Sequence, residues 1–259
     1  MILLLKLLLT PLLIVSLTLT GRRWGLMASG FLIGMPVVSA PVSFILACEF
    51  GPGFAQHAAV GSMAGQISNC IFCLTYSLLA RKSSWLLSAI AAIVAFLIMT
   101  WLLDQLDWQL LPAFFALLIV IAVVTRLIPR QNSLIKSIPT PRWDLTARIV
   151  TSTCFVILLT TMADHLGAQL SGLISPFPVF SVVFASFTHS QSGPLAAANL
   201  LRGVVWGSGA YAAFFLIVAT LISPLGIPLT YLLALLLSMI VGGLSFIVER
   251  KTQRAGGGT

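Results

Sequence analysis

The residue with the most distinctive chemistry in this sequence is Arg202, which lies inside a long apolar stretch. It follows the start of that stretch by about eight residues, roughly 12 Å along a helix. If the stretch crosses a membrane, a charge at this depth is costly and usually faces a cavity or a partner. An arginine is also long enough to reach back to the membrane surface. Facing a cavity, Arg202 would predict an anionic ligand; both placements remain open at this stage.

Uncharged polar residues recur in the apolar stretches at a similar level and are the other candidates for ligand binding: Ser39, Gln66, Asn69, Ser181 and Asn199. Gln66 and Asn69 are about one helical turn apart, so both can line the same face. Their amide and hydroxyl groups could hydrogen-bond a ligand. Hydrogen bonds between neighbouring helices account for such residues equally well.

Groups that could perform catalysis or hold a metal are sparse. Cys70 and Cys73 have the spacing of a redox or zinc pair, but neither a second pair nor a histidine accompanies them, which favours packing. His57, His165 and His189 lie near helix ends on different connections. The sequence contains no nucleophile motif and no phosphate-binding loop. We therefore expect no enzyme activity, no cofactor and no metal site.

The composition identifies the environment of these residues. The chain is 59% hydrophobic and 8% charged, whereas soluble domains have about 25% charged residues. Apolar runs of about twenty residues recur, each long enough to cross a bilayer core about 30 Å thick. The net charge of +8 lies mostly in short connections, without the basic stripe of a nucleic-acid-binding protein. The sequence predicts an all-α polytopic membrane protein in a lipid bilayer, with no nucleic-acid partner.

Charge in the connections predicts how the spans are oriented. Nine spans are predicted, at 2–20, 25–48, 54–79, 85–103, 109–125, 147–163, 168–188, 194–222 and 226–248. One side carries twelve of the fourteen basic residues, and the other side carries Glu49, Asp104, Asp107 and Asp164. The positive-inside rule then places the N-terminus outside and the C-terminus in the cytoplasm.

Self-comparison reveals an internal repeat. An offset of 142 residues aligns 29–74 with 171–216 without a gap, and 12 of the 46 positions are identical, mostly Gly, Pro and Ser. Spans 1–4 then correspond to spans 6–9, and the second copy crosses in the opposite direction, a 4 + 1 + 4 inverted-topology repeat. A duplication that only enlarged the helix bundle is the alternative. The repeat divides the chain into a first repeat, a linking span with a basic cytoplasmic loop, a second repeat and a cytoplasmic tail: 1–105, 106–146, 147–250 and 251–259.

Each copy contains a span interrupted by proline, and these prolines are the predicted helix breaks: Pro36, Pro41, Pro176 and Pro178. Proline costs about 3 kcal/mol in a helix interior because it lacks an N–H and its ring clashes with the preceding turn. Irregular backbone at membrane depth is tolerated where protein or a water-filled cavity covers it. A site beside these breaks is therefore expected.

Glycine motifs follow both breaks. The Gly-Pro pairs at 51–52 and 193–194 predict helix starts, because proline suits the first helical position. The helices that follow carry Gly61-x-x-x-Gly65 and Gly203-x-x-x-Gly207. This spacing permits close backbone approach, so both motifs predict tight helix packing.

The segment SGLISPFPVFSVVFAS (171–186) resembles the GlpM-like family of small bacterial inner-membrane proteins. The resemblance rests on Gly172, Leu173, Phe177, Pro178 and Phe180, of which the first copy keeps Gly30 and Pro36. Those proteins are about one repeat long, so the resemblance implies two copies fused in opposite orientation. It implies a multi-pass protein of the bacterial inner membrane and no defined activity.

These features predict a small inner-membrane transporter in which two inverted repeats rock about a midplane site between spans 2, 3, 7 and 8. Its solute is expected to be an anion or a lipid headgroup if Arg202 lines the site. The alternative is a non-transporting scaffold or subunit of an envelope polysaccharide or lipid assembly, docked through the cytoplasmic loop 126–148. Either protein could form a homodimer or join a membrane complex.

Overall fold

The structure is a computed structural model that describes residues 2–37, 39–129, 143–158 and 177–255. Pro176 and most of the loop 126–148 lie outside these ranges, as do Gly172 and Leu173 of the GlpM-like segment. The described ranges contain helices and no β-strand. In chain order the helices are α1 (Ile2–Trp24), α2 (Leu26–Gly34), α3 (Ser39–Leu79), α4 (Trp85–Asp104), α5 (Leu110–Leu127), α6 (144–158), α7 (Val179–Ser192), α8 (Pro194–Leu225) and α9 (Ile227–Ala255).

Helix length and apolarity agree with a membrane setting. Five helical ranges are long and apolar enough to cross a bilayer: Leu26–Leu79, Trp85–Asp104, Leu110–Leu127, Pro194–Leu225 and Ile227–Ile247. α4 exposes large apolar side chains along its length, including Trp85, Ile90, Ile98 and Trp101. Apolar surface on this scale needs lipid to cover it. The prediction of an all-helical membrane protein is confirmed for the described residues, while the count of nine spans stays a prediction.

Two interruptions divide the first of these ranges, which at 1.5 Å per residue is much longer than a bilayer is thick. α2 ends at Gly34 and α3 begins at Ser39, so Pro36 lies in the break between them. The Pro36 carbonyl accepts a hydrogen bond of 2.8 Å from the Ala40 amide. Pro41 lies in the first turn of α3, where a proline costs little because that N–H has no intrahelical partner.

The second interruption is a kink at Gly51, which has φ +85° and ψ 174° inside α3. Gly193, at the 142-residue offset, has φ +90° and ψ 174° and separates α7 from α8. Only glycine adopts this backbone conformation without strain. α8 begins at Pro194, so the helix start predicted from that Gly-Pro pair is confirmed.

The centre of the molecule is α8, which packs against α2, α3, α5, α7 and α9. Small residues make these contacts possible, because its buried positions include many alanines and glycines. A membrane helix without bulky side chains can approach several neighbours at short distance. α8 therefore positions side chains from both ends of the sequence.

The contact between α2 and α8 brings two backbones together. A Cβ added to Gly30 or Gly34 would overlap a carbonyl oxygen of α8, and one added to Gly203 or Gly207 would overlap a carbonyl oxygen of α2. The tight packing predicted for Gly203 and Gly207 is confirmed, and their partners have the same spacing on α2. Gly61, by contrast, has no atom within 4 Å of an added Cβ.

We expect Gly203→Ala to lower the midpoint temperature of unfolding in detergent, because its methyl group would overlap the Met27 carbonyl oxygen. Overpacking of this kind costs about 1–3 kcal/mol. Gly61→Ala is the matched control, since it stands at the equivalent repeat position and points into open space. Alanine has the higher helix propensity by up to about 1 kcal/mol, so the control should match or exceed the parent. Equal midpoints for the two variants would contradict the backbone contact.

Candidate functional site

A row of polar side chains joins α3 to its neighbours, and we call it the polar seam: Ser39, Gln66, Asn69, Ser181, Ser208 and Tyr211. At its centre, Gln66 Nε2 donates a hydrogen bond of 2.8 Å to Ser208 Oγ, and both side chains are buried. Ser208 Oγ in turn donates to the Val204 carbonyl at 3.0 Å. The contact links α3 in the first half of the chain to α8 in the second.

Two further contacts flank this centre. Ser181 Oγ on α7 donates to Asn69 Oδ1 on α3 at 3.4 Å. The Tyr211 hydroxyl on α8 interacts with the hydroxyls of Ser39 and Ser62 on α3. The polar seam therefore includes four of the residues expected to bind a ligand, namely Ser39, Gln66, Asn69 and Ser181.

The contacts of the polar seam are related by the repeat offset. Gln66 and Ser208 are 142 residues apart, so each is bonded to its own repeat equivalent. The same offset converts the Asn69–Ser181 contact into the Tyr211–Ser39 contact. These three contacts are thus related by one sequence offset, whereas the approach of Tyr211 to Ser62 is not.

Arg202 is buried but does not join the polar seam. Its guanidinium donates to the Thr125 carbonyl at 2.5 Å and to the Ile128 carbonyl at 3.3 Å, at the end of α5. The last carbonyls of a helix have no intrahelical partner and carry partial negative charge, which a cation stabilises. Arg202 is 2% exposed, so it neither reaches the surface nor presents these donors to a ligand. At 1.5 Å per residue, it lies about 9 Å along α8 from Ser208.

The remaining predicted site residues are dispersed. Asn199 is partly buried on α8, and none of the described hydrogen bonds joins it to the polar seam. Pro178 is the N-terminal capping residue of α7. Cys70 and Cys73 are buried as free thiols, and Cys70 Sγ lies 3.8 Å from Ser208 Oγ. Among the described residues, no cluster of three His, Cys, Asp or Glu side chains could hold a metal.

His189, near the end of α7, makes a contact with α3. Tyr76 Oη on α3 lies 3.4 Å from His189 Nδ1, and the two rings meet edge to face. Burial lowers the pKa of His189 below its usual value, which keeps the imidazole uncharged at neutral pH. His189 therefore adds a neutral polar contact between α3 and α7 and no charge.

A groove of about 320 Å³ runs along the outside of α6. Its lining is mostly apolar: Val150, Thr151, Cys154, Phe155 and Leu158. It shares no residue with the polar seam and offers no charged group to a ligand. We assign no function to it.

Three further residues make important contacts in the fold, namely Ser208, Tyr211 and Asp144, and each has a signal in the sequence. Ser208 and Tyr211 are the repeat equivalents of Gln66 and Asn69, so they could be found by comparing polar rather than identical positions. Asp144 stands four residues before Arg148, the spacing of an ion pair on a helix. Nothing in the sequence indicates that the Asp144 side chain is buried.

The described residues thus define an all-helical membrane protein with an uncharged, largely buried polar seam between its two halves. No protein-family model matches the chain, and neither a curated protein nor a solved structure shows detectable similarity to it. The resemblance to the GlpM-like family receives no support from these comparisons.

We expect Arg202→Met to lower the midpoint temperature of unfolding and to speed proteolysis just after α5, because the Thr125 and Ile128 carbonyls lose their donor. Leaving a buried polar group without a partner costs about 1–3 kcal/mol. Arg126→Met is the control, since it removes the same charge from an exposed position on the last turn of α5. Unchanged stability of Arg202→Met would show that Arg202 does not hold the end of α5.

Proposed function

We propose that this protein is a small membrane transporter whose two halves are inverted repeats that meet at the polar seam. The polar seam itself is the observation that carries the proposal. Three of the polar contacts that join the halves are exchanged with one another by the 142-residue offset. Other contacts between the halves, such as Ser43 with Tyr231 and Gln56 with the Ala219 carbonyl, do not follow that offset. In transporters built from inverted repeats, the substrate site lies near the midplane at the repeat interface.

The proposal includes nine spans with the N-terminus outside and the C-terminus in the cytoplasm, as in a 4 + 1 + 4 inverted repeat. The alternation of basic and acidic connections supports it. The matching backbone at Gly51 and Gly193 supports it as well, because the two kinks would fall at corresponding points of the two repeats. The many arginines on one side fit a bacterial inner membrane with that side in the cytoplasm.

The ligand we propose is an uncharged, hydrogen-bonding solute. Amide and hydroxyl groups make up the polar seam, and such groups recognise a neutral solute through donors and acceptors alone. An anion or a lipid headgroup was expected on the condition that Arg202 faces a cavity. The described contacts of Arg202 are with α5 and not with the polar seam, so the groups that make up the seam include no positive charge for an anion.

One observation favours the alternative of a non-transporting scaffold. The backbones of α2 and α8 touch through their glycines, which leaves no room for solvent between them and suits a fixed bundle. Such a protein would serve as a subunit of an envelope assembly, as a homodimer or with a membrane-complex partner. In a transporter, the same contact would move as one rigid unit.

Purified protein in proteoliposomes is expected to take up uncharged polyols, monosaccharides or urea, and not phosphate or other anions. Gln66→Leu should slow this uptake by about tenfold, which corresponds to 1.4 kcal/mol, because the centre of the polar seam loses its amide. Thr220→Val is the control, since its exposed hydroxyl bonds only its own helix. Absence of uptake by folded protein for every solute would contradict transport and favour the scaffold.

Cysteine labelling tests the orientation. In a variant without native cysteines, Asp107→Cys should react with an impermeant maleimide on intact cells, and Lys82→Cys only after permeabilisation. Both positions are exposed and flank α4, so the pair reports one crossing. The reversed pattern would invert the topology, and reaction at both positions on intact cells would mean that α4 does not cross.

A further inference from the structure

An ion cluster lies where α1, α6 and α7 meet. Asp144, the first residue of α6, is fully buried, and Arg148 Nε donates to its Oδ1 at 2.8 Å. Gln191 Nε2 at the end of α7 donates to the same oxygen at 2.7 Å. Arg22 at the end of α1 approaches the other oxygen, with 3.7 Å between its guanidinium nitrogen and Oδ2.

The contacts that Arg148 and Gln191 make with Asp144, all within the second half of the chain, are expected to persist. The Arg148 side chain is 6% exposed, and its guanidinium lies over the rings of Phe184 and Phe187, 4.9 Å and 5.3 Å from their centroids. Removing one partner of a buried ion pair leaves an uncompensated charge, so such pairs persist. Asp144, Arg148 and Gln191 therefore form a stable platform on α6 and α7.

The contact between Arg22, in the first half of the chain, and Asp144 is longer and more exposed. The Arg22 side chain is 42% exposed, and its distance of 3.7 Å to Asp144 Oδ2 is longer than a direct hydrogen bond. The Arg22 contact is therefore the weakest of the three contacts to Asp144, because the other two are direct hydrogen bonds of 2.8 Å and 2.7 Å. When Arg22 leaves, Arg148 and Gln191 remain on Asp144 Oδ1. Asp144 Oδ2, which is buried and accepts no described hydrogen bond, then loses its nearest positive charge.

We propose that Arg22 and Asp144 form a latch that closes this end of the molecule. The latch forms when α1 meets the platform, and it opens when α1 moves away from α6 and α7. This inference rests on the proposed transport function, in which a site between the halves is exposed to one side at a time. A latch must be weak enough to open during each cycle, which the exposure and length of the Arg22 contact allow.

The repeat supplies a counterpart for part of the platform only. The 142-residue offset places Lys6 at the position of Arg148 and Glu49 at the position of Gln191, whereas Asp144 falls at Ile2 and Arg22 at Asp164. Under the proposed topology these positions lie toward the opposite membrane surface. Charged residues therefore occur at both ends, but the Arg22–Asp144 pair itself is not repeated.

The test uses a reporter cysteine on α7, near the Gln191 end of the platform. Thr188 lies one turn before Gln191 on α7 and is 2% exposed, so Thr188→Cys in an otherwise cysteine-free protein should react slowly with an impermeant maleimide. Adding Arg22→Gln should speed this reaction roughly two- to fivefold, the range that an exposed ion pair can account for. Adding Arg23→Gln, which removes the same charge one residue away, should leave the rate unchanged. Arg22→Lys should restore the slow rate.

Equal rates with Arg22→Gln and without it, or an equal increase with Arg23→Gln, would overturn the latch. Because the labelling reaction requires no substrate, its rate can be measured independently of solute uptake. A negative labelling result in a protein that takes up solute rejects the latch alone. Absence of uptake by the parent protein rejects the transport function on which the latch rests.

Discussion

Two glycines on α2 and two on α8 hold these helices in backbone contact, and the positions of the main polar side chains depend on that contact. Lipid provides no hydrophobic force between helices, so close packing and polar contacts must supply their association. Arg202 directly precedes Gly203, and Ser208 directly follows Gly207. The register that seats the glycines therefore also carries Arg202 to the end of α5 and Ser208 to Gln66.

The charged and uncharged polar groups have separate tasks in this arrangement. Arg202 satisfies carbonyls at the end of α5, and Asp144 is enclosed by Arg148 and Gln191. Uncharged amides and hydroxyls are left at the interface of the two halves. That separation is why we propose a neutral solute at the interface and a charged closure at one end.

Composition and local patterns in the sequence predict the helices well. Long apolar runs predict membrane helices because the preference of each side chain for lipid does not depend on its tertiary contacts. The start of α8 at Pro194 follows from the geometry of proline. The polar seam is only half predicted. Gln66 and Asn69 attract notice as buried amides. Ser208, which accepts a hydrogen bond from Gln66, and Tyr211, which contacts Ser39, are ordinary residues until the chain is folded.

The sequence by itself determined an all-helical membrane protein, the helix break at Pro36 and the candidate polar residues, because these depend on a residue and its close neighbours. Tertiary structure decided what those residues contact. Arg202 meets the carbonyl of Thr125 across 77 residues of sequence, and no local pattern distinguishes that placement from a cavity. Likewise, Gly203 is seated against α2 while Gly61 faces open space, although both have the same motif. The contact partners of a residue depend on how distant segments of the chain pack, because packing decides which side chains are buried next to one another.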